Sequence, residues 1–196
     1  MSTLLDSLAT AFNGDAARRS VLDDVLRDGL PGARSEAWKY TSLRALERRS
    51  FTAVGSVPEI GIEAVAHIPA PRLVFVNGRH APALSALATL PEGVSLQLLS
   101  EAVSAGGEAA RFLTRRFERS DEVFARLNAA LASEGVLLRA EAGTVSAQPL
   151  HLVFIGAEDG GDRAWNLRNL IELRAGAKLA IVEHHFALGA HAHFSN

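Results

Sequence analysis

The 196-residue sequence predicts an α+β chain, helix-rich to about residue 135 and β-rich from residue 136 to 196. Three observations carry this. Apolar residues near the start recur at helical spacing, a β-branched run leads straight into Asn77-Gly78, and beyond Gly135 the helical period gives way to short β-type runs.

The first predicted helix carries the stripe Leu4, Leu5, Leu8, Ala9 and Phe12, and the second carries Ala17, Val21, Leu22, Val25 and Leu26. Asn13-Gly14 separates them, Asp15 is suited to cap the second, and Asp28-Gly29-Leu30-Pro31-Gly32 ends it. An αα-hairpin is expected. Leu73-Val74-Phe75-Val76 then reads as a strand, and Asn-Gly tolerates positive φ at both centres of a tight turn. A hairpin near 73–81 follows, with Pro82 ending the return strand. Val94 to Leu99 is another strand. Helices are expected at Glu108–Glu118 and at Asp121–Ser133, the latter stopped by Gly135 at C′.

Past Gly135, Val136-Leu137-Leu138, Leu150 to Ile155, Leu167 to Leu173 and Leu179 to Val182 are β-type runs between small and polar turns. Leu138-Arg139-Ala140 leading to Gly143, and Leu173-Arg174-Ala175 leading to Gly176, form a two-copy repeat. Short strands with small corner residues suit a β-solenoid or a β-sandwich. His191-Ala192-His193-Phe194-Ser195-Asn196 alternates to the last residue without a polar cap, so the chain is expected to be one piece of a longer fold. Its open β edge predicts self-association.

Glu36-Ala37-Trp38-Lys39-Tyr40-Thr41 resembles the E-x-W-K-Y-T signature of SufD-type proteins of the SUF iron–sulfur cluster assembly system. Leu73 to Arg79 with Pro82-Ala83-Leu84-Ser85 is similar to that family's hairpin. Ile181-Val182-Glu183-His184 and His193-Phe194-Ser195-Asn196 resemble later segments, in family order. The resemblance implies a scaffold subunit of the SufB–SufC–SufD complex, in which SufC is the ATPase. It implies that SufB and SufD pair through right-handed parallel β-helices, with the cluster forming near their interface. On this reading residues 136–196 are the opening rungs of such a β-helix. The family's SufC-docking helices and interface histidine lie further along than this chain extends, so no functional residue is carried over.

Composition limits the chemistry. Twenty basic and 22 acidic residues leave a net charge of −2, giving no electrostatic case for nucleic acid or an anionic membrane. There is no cysteine, hence no thiolate nucleophile, disulfide or thiolate-held cluster. No signal peptide or spanning segment is evident, and a cytoplasmic location is expected. No P-loop or nucleophile elbow occurs, so neither catalytic nor cofactor-binding residues are assigned and the chain is not expected to be an enzyme. Any cluster would belong to the assembled complex.

The competing function is metal binding by His184, His185, His191 and His193 with Glu183. Alternate residues on a strand share a face, which pairs Glu183 with His185 and His191 with His193. The plain reading is imidazoles along an exposed strand and loop. A β-rich binding module is the third possibility.

Overall fold

The computed structural model describes residues 2–105, 117 and 119–196. The fold is mixed α+β. Among the described residues the α-helices are α1 (Thr3–Ala9), α2 (Ala16–Asp28), α3 (Arg44–Glu47), α4 (Leu99–Ala105) and α5 (Val123–Leu131). The helix expected at 108–118 lies outside the described residues apart from Phe117.

The starts of α1 and α2 follow from their caps. The Ser2 hydroxyl accepts from the Leu5 amide at 3.4 Å, and the Asp15 carboxylate accepts from the Arg18 amide at 2.9 Å. Each such cap is worth about 1 kcal/mol. Gly29 caps the end of α2, its amide reaching Val25 O. The expected stop for α5 is corrected: the helix ends at Leu131, and Ala132 is already extended. Gly135 instead lies where the chain crosses a later segment.

Leu4, Leu5, Leu8, Leu22, Val25, Val123 and Leu127 form one core, closed underneath by Phe51, Ala164 and Phe194. The helices therefore sit on strands that come from the end of the chain. Within this layer α2 lies against α5, and Arg126 of α5 is 5% exposed and paired with Asp28 at 2.8 Å. Removing one partner of a buried pair strands the other charge. Arg126→Ala is expected to lower stability by about 2 kcal/mol, discounted because Asp28 keeps some solvent. Urea unfolding measures this, and an unchanged midpoint would show that solvent screens the pair.

The strands form three sheets. The first holds β1 (Thr52–Ala53), β7 (Arg163–Trp165) and β10 (His193–Ser195), in the order β1-β7-β10 and parallel throughout. The second holds β2 (Arg72–Val76), β3 (Arg79–His80), β6 (Leu150–Ala157) and β9 (Ile181–Leu188), in the order β3-β2-β6-β9. Here β2 pairs antiparallel with β3, and the β2–β6 and β6–β9 pairs are parallel. The third holds β4 (Val94–Leu98), β5 (Val136–Ala140) and β8 (Leu170–Leu173), with β4 antiparallel and β8 parallel to β5.

From β5 onward the chain visits the third, second and first sheets and then repeats the tour. Leu137 pairs with Leu170, Leu150 with Ile181 and Arg163 with His193, so one circuit takes 33, 31 or 30 residues. Strands from before and after residue 135 share all three sheets.

The hairpin forms as expected. Asn77 (φ 48°) and Gly78 (φ 74°) both take positive φ, and Pro82 opens a 3-10 turn, Pro82–Leu84, that ends the return strand. A Cβ on Gly78 would stand 2.5 Å from Cβ of Trp165, so the turn rests directly on the later strand. Strand β6 is apolar apart from His151 and buried along its length because both its faces are covered. Leu150, Leu152 and Phe154 pack with Leu73, Phe75, Val136 and Leu138, while Val153, Ile155 and Ala157 pack with Val65, Ile68, Val74 and Leu84.

The expected Leu-Arg-Ala repeat needs correcting. Leu138 pairs with Ile171 and Ala140 with Leu173, so the two copies are out of register. The offset is two residues, so the same side chains stay on the inward face in either register. The glycines do correspond: Gly143 donates to Ala175 O at 2.9 Å, stacking its turn against that of Gly176.

Candidate functional site

The sequence directs attention to the histidines of β9 and β10, and the structure disperses them. His184 meets His151 of the preceding circuit, Nε2 to Nδ1 at 2.9 Å. Burial, and after it the neighbouring His184, holds the His151 pKa below the ordinary imidazole range. His185 shares a face with Glu183, as expected, and lies 3.3 Å from its carboxylate. His191 turns to Glu158 at 3.4 Å. His193 lies against Trp165 at 5.3 Å between ring centroids, with Nε2 3.2 Å from Ala157 O. Among the described residues, no group of three or more His, Asp or Glu side chains is placed to hold a metal ion. The His191–His193 pairing fails because the chain bends before β10, sending one ring to the corner carboxylates and the other onto Trp165.

What these residues do is join successive circuits. Phe75 stacks on Phe154 at 5.7 Å and Phe154 on His185 at 4.7 Å, a ladder across β2, β6 and β9 at paired register positions. Asn196 Nδ2 donates to Asn166 Oδ1 at 2.8 Å, from equivalent places one circuit apart. Asn128 of α5 clamps both levels, its amide donating to Leu167 O at 2.7 Å and Asn196 O at 3.0 Å. These ladders escaped the sequence reading. The signal was present in Asn166 and Asn196, 30 residues apart, hidden because β7 and β10, which precede them, are too short for a period-2 pattern.

Asp162 ties a corner together. Its carboxylate accepts from Arg49 and, at 3.0 Å, from the Ala192 amide, while its carbonyl receives Thr52 N. The Arg49 hydrogen bond, then that of Ala192, holds the carboxyl below its ordinary range. A depressed carboxyl stabilises the fold fully above the unfolded-chain value near pH 4, and the contribution fades as pH falls through the lower folded value. Protection of the Ala192 amide against hydrogen exchange is therefore expected to decline only in acid below about pH 4. Asp162→Asn should flatten that dependence, and an unchanged profile in the variant would refute the assignment.

A cavity of about 290 Å³ opens beside the hairpin, walled by Asn77, Gly78, Arg79, Ser133, Trp165 and Asn166. Among the described residues no carboxylate or imidazole lines it. The buried Asn77 is fully engaged with Ala157, donating to its carbonyl at 3.0 Å and accepting from its amide at 2.7 Å. This concavity is a junction between hairpin and circuit.

Helices seated on parallel strands that recur once per circuit, with polar side chains joining the circuits, define the class of fold. The family described as the SufBD protein N-terminal region matches residues 4–152, and the chain belongs to the SufBD family. Within that family it is SufD-type. It is 30% identical over 199 aligned positions to the iron–sulfur cluster assembly protein SufD of Escherichia coli (strain K12), covering 94% of this chain and 43% of that protein. It is also 29% identical over 165 positions to an iron–sulfur cluster assembly SufBD family protein of Synechocystis sp. (strain ATCC 27184 / PCC 6803 / Kazusa), covering 81% and 36%. The chain thus spans less than half the length of each of these relatives. Among the described residues no helix is long and apolar enough to cross a membrane.

Proposed function

We propose that this chain is the N-terminal part of a scaffold subunit for iron–sulfur cluster assembly, acting in the cytoplasm by holding partners and not by chemistry of its own. The observation that carries the reading is the family match over residues 4–152, joined to relatives named for cluster assembly. Residues 1–135 form the helical and hairpin entry, and residues 136–196 begin a right-handed parallel β-helix. Support for the β-helix comes from the parallel return of β8, β9 and β10 to the sheets of β5, β6 and β7. In the full-length protein the subunit pairs with SufB and with the SufC ATPase. The cluster is cargo of that assembly. With no cysteine in the sequence, any ligand this chain offered it would be a nitrogen or oxygen donor. The test is co-purification: a full-length version that fails to form a complex with SufB and SufC removes this reading.

Among the described residues β8, β9 and β10 are each the last of their sheet, and Ile171, Leu173, Val182 and Leu188 on β8 and β9 are exposed. Unpaired edges with apolar side chains template further strands. The 196-residue chain is expected to self-associate with rising concentration, and Val182→Lys on β9 to suppress this. Light scattering that finds a monomer at every concentration would contradict the expectation.

A further inference from the structure

The Glu36–Thr41 segment splits into two halves with opposite fates. Trp38 is half-buried, its indole N–H donating to Asp121 O at 2.7 Å and its ring meeting the edge of Phe124 at 5.4 Å. Tyr40, two residues on, is 91% exposed, with the Lys39 ammonium 5.4 Å from its ring centroid. The backbone between them is held by successive turns, in which Ser35 N reaches Gly32 O, Trp38 N reaches Ser35 O and Thr41 N reaches Trp38 O, each at 3.0 Å. Tyr40 is therefore presented by a pinned loop, which lowers the ordering cost of any contact it makes.

Beside it lies an open cleft of about 370 Å³, walled by Pro31, Trp38, Lys39, Tyr40, Arg44 and Glu47. Arg34, Lys39, Arg44 and Arg48 are exposed on this stretch, and none forms an ion pair among the described residues. Two carboxylates, Glu36 and Glu47, are interspersed with them. A cation-flanked tyrosine on hydrogen-bonded turns beside a cleft has the composition of a protein-binding hot spot.

We infer that the cleft around Trp38, Tyr40 and Arg44 docks an extended acidic segment of a partner protein, with Tyr40 as the apolar anchor and Lys39 and Arg44 meeting its carboxylates. Charge complementarity selects the occupant. The interspersed Glu36 and Glu47 oppose a continuous phosphate backbone, whereas a peptide can space its carboxylates around them. This goes beyond the cluster-assembly reading and does not depend on it.

The test measures binding of a short fluorescein-labelled peptide of alternating Asp/Glu and Leu/Phe to the whole chain by fluorescence anisotropy. The same peptide with Asn and Gln, and an oligothymidylate, serve as comparisons. Binding of the acidic peptide should weaken as salt rises, and should fall about tenfold or more in Tyr40→Ala and in Arg44→Glu. Unchanged thermal unfolding and an unshifted Trp38 indole resonance show that these variants keep the segment seated. Failure of the acidic peptide to bind, equal binding of the amide peptide, preference for the oligothymidylate, or indifference to Tyr40→Ala would each overturn the inference.

Discussion

Replacing Gly135 with alanine is expected to destabilise the protein by about 3 kcal/mol or more, the sum of backbone strain and overpacking at one position. Gly135 has φ +151°, and a Cβ there would stand 2.0 Å from the carbonyl oxygen of Arg168 and 2.6 Å from its carbon. Both obstructing atoms are backbone, so no rotamer change relieves the contact. The crossing is also fixed by hydrogen bonds: Leu99 N to Gly135 O at 3.0 Å and Arg168 N to Glu134 O at 2.9 Å. Glu134 adds its own carboxylate, accepting from Gly135 N at 2.9 Å and from the Ser100 hydroxyl at 2.7 Å. Separating the strands enough to admit a methyl group would break several of these at once. Urea unfolding of the variant is the measurement. A loss below about 1 kcal/mol would mean the crossing yields far more readily than close packing allows.

The second large effect belongs to Asn77, which is 1% exposed. Asn77→Ala removes its donor to Ala157 O and its acceptor for Ala157 N, stranding the buried amide and leaving the carbonyl with the His193 ring nitrogen at 3.2 Å. A stranded group costs about 1–3 kcal/mol, and alanine at φ 48° adds about 1 kcal/mol. A total near 3 kcal/mol is expected by the same reasoning. Asn77→Gly separates the two causes, since glycine tolerates the turn while losing the side-chain bonds, and it should recover only the smaller part. Asn77→Asp keeps the acceptor but sets a carboxylate against the Ala157 carbonyl. Its deficit should shrink in acid, where a protonated carboxyl can donate. Equal stability of the alanine and glycine variants would remove the strain component, and near-native stability of both would remove the hydrogen-bond argument as well.

Legibility in the sequence tracks the range of the interactions involved. The hairpin could be read because Asn77-Gly78 sets two local φ values, and the Asp15 cap because donor and acceptor lie three residues apart. The α5 stop was misassigned because glycine at position 135 satisfies an inter-segment contact that resembles, locally, a helix terminator. Strands β1 and β7 were invisible: two and three residues carry no period, and they exist because Arg163 and Ala164 pair with Thr52 and Ala53. Metal binding by the histidines stays a competing reading of the sequence because spacing alone cannot show that His184 finds His151, or that His193 finds Trp165.

The sequence by itself determined the helical stripes, the tight turn, the exclusion of thiolate chemistry and the ordered segments that mark the family. Each depends on residue identity or on neighbours within one helical turn. Only the tertiary structure decided which strands stack, the length of a circuit, the roles of Asn128, Asn166 and Asn196, and the contrast between a pinned Trp38 and an exposed Tyr40. The physical reason is that these features are set by partners some 30 to more than 80 residues away, such as Asp121 O for the Trp38 indole. A side chain's intrinsic preference is too weak to choose among them until the fold has brought one within reach.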